Sequence, residues 1–132
     1  MAGKLGAAFT VVVMVLVSGA MVTTALSLLA TGDLADTGDD SDSYARLREA
    51  VAGLPFPVYY ALGNHDGRDA FRANFPDLAM PDGFLQYAIE DHDLRILVLD
   101  TLEEGRHGGN FCEVRAAWLS ARLAEAPERP TL

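Results

Sequence analysis

Apolar and polar positions divide this chain into two unequal parts at Thr31. Before it, Lys4 is the only charged side chain, and residues 7–30 are almost wholly apolar, Ser or Thr. After it, charge, proline and glycine arrive together, as in an ordinary folded domain. Three readings fit the N-terminal stretch. It is long enough for a transmembrane helix, which takes about 20 apolar residues. It also reads as a signal peptide, with Lys4 as the positive end, residues 8–17 as the apolar region and Ser18-Gly19-Ala20 as a small-residue cleavage site. Third, valine-rich residues 9–17 and apolar residues 25–30 suit strands buried on both faces, the second running straight into Thr31-Gly32-Asp33.

From Thr37 onward the pattern resolves into alternating elements. Asp39-Asp40-Ser41-Asp42-Ser43 can cap a helix start. Leu47, Val51 and Leu54 then recur at helical spacing over residues 44–54, with Arg46, Arg48 and Glu49 outward, and Gly53 and Pro55 end the run. Residues 58–62 are short, apolar and β-prone, closing on Gly63. A short helix is predicted over 69–75, stopped by Pro76. Strands follow over 84–90 and 95–100, joined by a polar turn that contains His92. A last helix, 114–125, places Trp118, Leu119 and Leu123 largely on one face, with Trp118 as core. Strands alternating with helices define an α/β class. In such folds chemistry gathers at the carboxyl ends of strands.

Composition narrows the function. With 19 acidic and 10 basic residues, the net charge is −9. That balance repels a phosphate backbone, so a nucleic-acid polymer is not an expected partner. A small phosphate ester is not excluded, because bound metal ions invert the local field. The 132 residues fit one domain. Cys112 is the only cysteine, which excludes an internal disulfide and any Cys-Cys metal site. A lone thiol at a helix start reads here as structural. It fits a reducing, cytoplasmic location, with membrane anchoring or export through the N-terminal segment as the alternative.

Two polar motifs stand directly after apolar runs. Gly32-Asp33-Leu34-Ala35-Asp36 ends the first. Glycine permits a sharp turn that aims the next carboxylate off the sheet edge, and a carboxylate can bridge two metals; a plain Gly-Asp turn is the alternative. Gly63-Asn64-His65-Asp66 ends the second and is more specific. Asn64 offers a neutral oxygen to a metal. His65 can ligate, donate to a phosphate oxygen or protonate a leaving group. Asp66 can hold the imidazole in one tautomer. Glu103 and Glu104 read as a solvated loop.

Together the motifs resemble the calcineurin-like metallophosphoesterase signature. The likeness extends to Tyr44-Ala45-Arg46-Leu47, Pro57-Val58-Tyr59-Tyr60, Phe71-Arg72-Ala73-Asn74-Phe75, Leu99-Asp100-Thr101, His107-Gly108-Gly109 and Ala117-Trp118-Leu119. These are similar to the bacterial class III cyclic-nucleotide phosphodiesterase branch. The resemblance implies an incomplete phosphoesterase sandwich of mixed sheets flanked by helices, covering residues 31–132, with 1–30 as an atypical apolar segment. It implies two divalent metal ions of Mn, Fe or Zn type and hydrolysis of a phosphoester by metal-activated water. Asp33 would be the bridging carboxylate and Asn64 a ligand of the second metal. His65 would lie at the phosphate with Asp66 orienting it, Asp36 would support the loop from behind, and His107 would face the substrate side.

The pattern also departs from the family. The Asp-x-His motif that members carry on an earlier strand has no counterpart before Asp33, and the later histidine motifs have none here. The expectation is a truncated or frame-shifted product with impaired activity. An inactive, membrane-associated or partner-dependent fragment is the alternative. Exposed sheet edges would promote oligomerisation.

Overall fold

The structure, a computed structural model, describes residues 13–20, 23–90 and 94–132. His92, expected in a hairpin turn, and the Lys4 end of the apolar segment lie outside the described residues. The order of elements is β1 (Val13–Ala20), β2 (Thr23–Ala30), α1 (Ser41–Val51), β3 (Val58–Tyr60), α2 (Arg68–Asn74), β4 (Tyr87–Ile89), β5 (Ile96–Val98) and α3 (Glu113–Glu125). A single 3-10 turn, Pro81–Gly83, precedes β4. Among the described residues, no helix is long and apolar enough to cross a membrane.

β1 pairs antiparallel with β2, Val13 opposite Ala30 and Ala20 opposite Thr23. β2 pairs parallel with β3, Leu28 opposite Val58 and Ala30 opposite Tyr60. Side chains alternate between the faces of a strand, so neighbours on β2 and β3 enter different layers. Ala30 and Tyr60 join one apolar cluster with Tyr44, Phe71 and Phe75 from the α1 and α2 region. Leu29 joins the other, with Ile89, Ile96 and Val98 of the second sheet, and Tyr59 packs against it. The β1-β2-β3 sheet thus lies between the helices α1 and α2 on one face and the antiparallel pair β4-β5 on the other. This is the sandwich with flanking helices that the sequence implies.

The Tyr87 hydroxyl joins the two sheets. It accepts from the Tyr60 N–H at 2.8 Å and donates to the Tyr60 carbonyl at 2.7 Å, satisfying two backbone groups at the end of β3. Burial pushes the Tyr87 phenol above its ordinary pKa, which keeps that donor protonated.

The polar stretch before α1 acts as a cap, but it starts the helix three residues before Tyr44. Asp40 is the N-cap and its carboxylate accepts from the Ser43 N–H at 3.1 Å and from the Ser43 hydroxyl. That places Tyr44 at 0 % exposure, edge-on to Phe71 at 5.7 Å. α3 differs from its sequence reading in what it buries. Trp118 and Leu119 are half-buried and Leu123 is 42 % exposed, whereas Arg115 is 4 % exposed. The helix docks through a guanidinium, because the strand end beneath it presents carbonyls that need donors. Arg115 Nη1 donates to the carbonyls of Asp100 at 2.9 Å and Leu102 at 3.3 Å.

Candidate active site

β2 and β3 are parallel neighbours, so the loops that leave their carboxyl ends lie side by side. Gly32 and Gly63 make that contact. Gly32 sits at φ +120°, and a Cβ there would stand 2.8 Å from the Gly63 nitrogen. A Cβ on Gly63 would collide with the Asp33 carboxylate and backbone. Asp33 follows at φ +52°, a left-handed conformation that aspartate tolerates better than most side chains. Its Oδ1 accepts the His65 N–H at 3.2 Å. The geometry therefore brings Asp33, Asn64 and His65 together at one sheet edge.

Asp66 clamps the two loops. It is 3 % exposed. Its carboxylate accepts from the Gly63 N–H at 2.7 Å, the Ala35 N–H at 3.0 Å and the Tyr44 hydroxyl at 3.0 Å. The same Tyr44 hydroxyl accepts the Gly67 N–H at 2.9 Å. Burial pushes the Asp66 carboxyl above the usual carboxylate range, against the pull of these hydrogen bonds.

The orienting partner of His65 is not the Asp66 side chain expected from the sequence. Three buried donors engage that carboxylate, and the imidazole turns the other way. His65 Nδ1 lies 2.9 Å from the Asp36 carbonyl. A carbonyl only accepts, so Nδ1 carries the proton and Nε2 is left facing outward. The Asp36 carbonyl, followed by the Asp33 charge, raises the His65 pKa above its ordinary value. Asp36 thus supports the loop through its backbone, while its side chain is exposed.

Across the site stands His107. Its Nδ1 is 3.4 Å from Asn64 Nδ2, and its ring centroid is 6.5 Å from that of His65. Asn64, His65 and His107 open on a cleft of about 650 Å³, walled also by Asp36 and by Glu104 and Arg106 of the loop that carries His107.

That loop is held by residues to which the sequence reading gave no structural role. Asp100, at 0 % exposure, closes β5. Arg68 reaches it with two parallel bonds, Nε to Oδ2 at 2.9 Å and Nη2 to Oδ1 at 2.7 Å. Asp100 also accepts from the Leu85 and Leu102 N–H groups, each at 3.0 Å. Phe84 lies under both Arg68 and Arg115, with guanidinium carbons 5.2 and 4.5 Å from the ring centroid. Glu104, read as solvated, accepts the Arg68 N–H at 2.8 Å. The available signal was an aspartate directly after a buried apolar run and an arginine two residues after the histidine motif.

Calcineurin-like phosphoesterases match this chain over residues 23–121, a span that takes in β2 through most of α3. The chain belongs to the calcineurin-like phosphoesterase family. Among its relatives is a probable cyclic nucleotide phosphodiesterase of Rhodopseudomonas palustris, 41% identical over 109 residues, or 80% of this chain and 39% of the relative. The probable glycerophosphodiester phosphodiesterase of Arcobacter nitrofigilis is 33% identical, over 77% of this chain and 38% of the relative. The 3',5'-cyclic adenosine monophosphate phosphodiesterase of Escherichia coli K12 is 33% identical, over 80% of this chain and 37% of the relative. The chain spans about two fifths of the length of these curated relatives.

The family uses two divalent metals. Asp33 carries a carboxylate and Asn64 a side-chain amide oxygen, donor types that divalent ions accept. Among the described residues, however, no group of three or more His, Cys, Asp or Glu side chains converges as a metal site. A catalytic metal takes about three protein donors. The described residues by themselves therefore do not fit a pair of metals.

Proposed function

We propose that this chain forms the phosphate-facing part of a phosphodiesterase acting on small phosphodiesters, cyclic nucleotides among them. The observation that carries the reading is the convergence of Asp33, Asn64 and His65 on adjacent parallel strand ends, beside a cleft of about 650 Å³. Asp33 and Asn64 are the proposed metal donors. His65 is the proposed catalytic residue. With Nδ1 engaged by Asp36, the imidazole can act only through Nε2. As the imidazolium, its Nε2–H would donate to a phosphate oxygen or protonate the departing oxygen. His107 stands opposite as a second donor on the substrate side. Asp66 and Asp36 hold these groups in place. The relatives named for cyclic nucleotides and for glycerophosphodiesters share a small phosphodiester as substrate class.

A second reading is a chain without turnover of its own, favoured by the donor set, in which Asp33 and Asn64 are the two proposed metal donors among the described residues. Elemental analysis of the folded chain, beside hydrolysis of a chromogenic phosphodiester with added manganese, separates the two. Bound metal with turnover that Asp33→Ala abolishes supports the phosphodiesterase. A folded sample with neither metal nor turnover rejects it for the chain alone.

A further inference from the structure

We propose that Arg68 is the positioning residue that fixes residues 101–109 as a rigid wall of the cleft and so sets His107 against Asn64. The proposal rests on the phosphodiesterase reading for its functional meaning, but its geometry stands apart from it.

The loop is closed at its base and tied at its tip by different residues. At the base, Leu102 bridges Gly109, and the Asn110 N–H donates to the Thr101 carbonyl at 2.9 Å. Arg115 holds the same base through the carbonyls of Asp100 and Leu102. None of these bonds reaches the residues that face the cleft. Arg68 does. Its guanidinium grips Asp100 and donates to the Leu102 carbonyl at 2.6 Å, while its own backbone N–H takes the Glu104 carboxylate. One residue therefore ties the tip of the loop to the start of α2, two residues after the histidine motif. The path from Glu104 to His107 is short, and the Arg106 N–H to Glu103 carbonyl bond at 3.1 Å tightens it into a turn. A wall tethered this way presents Glu104, Arg106 and His107 to a substrate in a fixed arrangement. An untethered one would have to be ordered at each binding event, at an entropic cost.

Lysine at position 68 keeps a charge near Asp100 and the backbone N–H that meets Glu104, but it cannot supply the planar fork that fixes that N–H against the loop. The test is solution NMR of the full chain at fixed pH. In the parent chain, His107→Ala shifts the side-chain amide signals of Asn64. In Arg68→Lys, those signals already stand displaced, and adding His107→Ala moves them little further. Amide exchange at position 68 and at Arg106 rises about tenfold or more, while Leu28 and Ala61, in the β2-β3 ladder, keep their protection. A residue that merely contributes to stability would raise exchange at all four positions together and leave the response of Asn64 to His107→Ala intact. That result overturns the proposal. Should Arg68→Lys fail to fold, Glu104→Ala cuts only the tether at an exposed residue, and an unchanged response of Asn64 there overturns it equally. None of these signals requires turnover. Absence of hydrolysis by the parent chain counts against the phosphodiesterase reading and leaves the position of His107 to be decided by the spectra.

Discussion

Asp33 and Asp66 are both carboxylates in the paired loops, and they do opposite work. Asp33 sits in a left-handed conformation with one oxygen on the His65 N–H. Asparagine tolerates that backbone and retains the accepting oxygen. Asp33→Asn is therefore expected to melt within about 0.5 kcal/mol of the parent chain, while losing affinity for added manganese. Calorimetry for the one and metal titration for the other check the pair. Asp66 accepts three hydrogen bonds out of solvent. Asp66→Ala leaves those donors without partners at about 1–3 kcal/mol for a buried group, so a loss of about 3 kcal/mol or more is expected in urea unfolding. Asp40 gives a pH dependence. Its bonds from the Ser43 hydroxyl and N–H hold its carboxyl below the usual carboxylate range. The folded-state pKa is thus depressed, and the stability it lends to α1 is present above the unfolded value of 3.8 and lost as pH falls through the folded value. Acid unfolding of Asp40→Asn should lack that component, with exchange of the Ser43 amide as the local probe.

Elements were legible in the sequence wherever periodicity and punctuation agreed. Capping residues, apolar spacing and Gly53 gave α1, and a short apolar run closing on Gly63 gave β3 with the second motif at its carboxyl end. The two strands before β3 could not be told from a membrane or signal segment by pattern alone, because apolar strand and apolar helix look alike until a pairing partner is known. In the structure the partner is β3, in parallel register with β2. The orientation of His65 was illegible for a different reason. It depends on a backbone carbonyl, Asp36, that no side-chain pattern records. The same holds for Arg115, whose burial on α3 depends on the backbone carbonyls of Asp100 and Leu102. The close contact of the two loops makes a prediction at this scale. Gly32→Ala places a Cβ against the Gly63 backbone at positive φ, so either the loops part or the chain strains. A loss of about 2–4 kcal/mol is expected. The His65 amide should lose its protection first, because its bond to Asp33 spans the seam.

At the scale of the whole molecule, the two apolar clusters lie on opposite faces of the β1-β2-β3 sheet, and the junction outside them is polar. Asp100 is its centre, joined to α2 through Arg68, to α3 through the salt-bridge contact with Arg115 at 3.8 Å, and to β5 through its own backbone. A buried ion pair is a poor source of net stability, because desolvation opposes the attraction, but breaking one side of it strands the other charge. The signature is non-additivity. Asp100→Ala leaves two guanidinium groups facing a buried space and is expected to cost about 3–5 kcal/mol. Arg68→Met alone strands only part of a carboxylate that still accepts two N–H groups and lies near Arg115, so a smaller loss is expected. Combining them should cost less than the sum, since Asp100→Ala has already removed what Arg68 was holding. Salt gives the second arm of the measurement. Exposed pairs such as Arg122–Glu125 are screened in 1 M sodium chloride, whereas the Arg68–Asp100 contact, with Asp100 at 0 % exposure, is screened far less. The coupling energy from the double-mutant cycle should therefore survive high salt. A coupling that vanishes there would mean that the junction is open to solvent and does not hold the helices to the sheet.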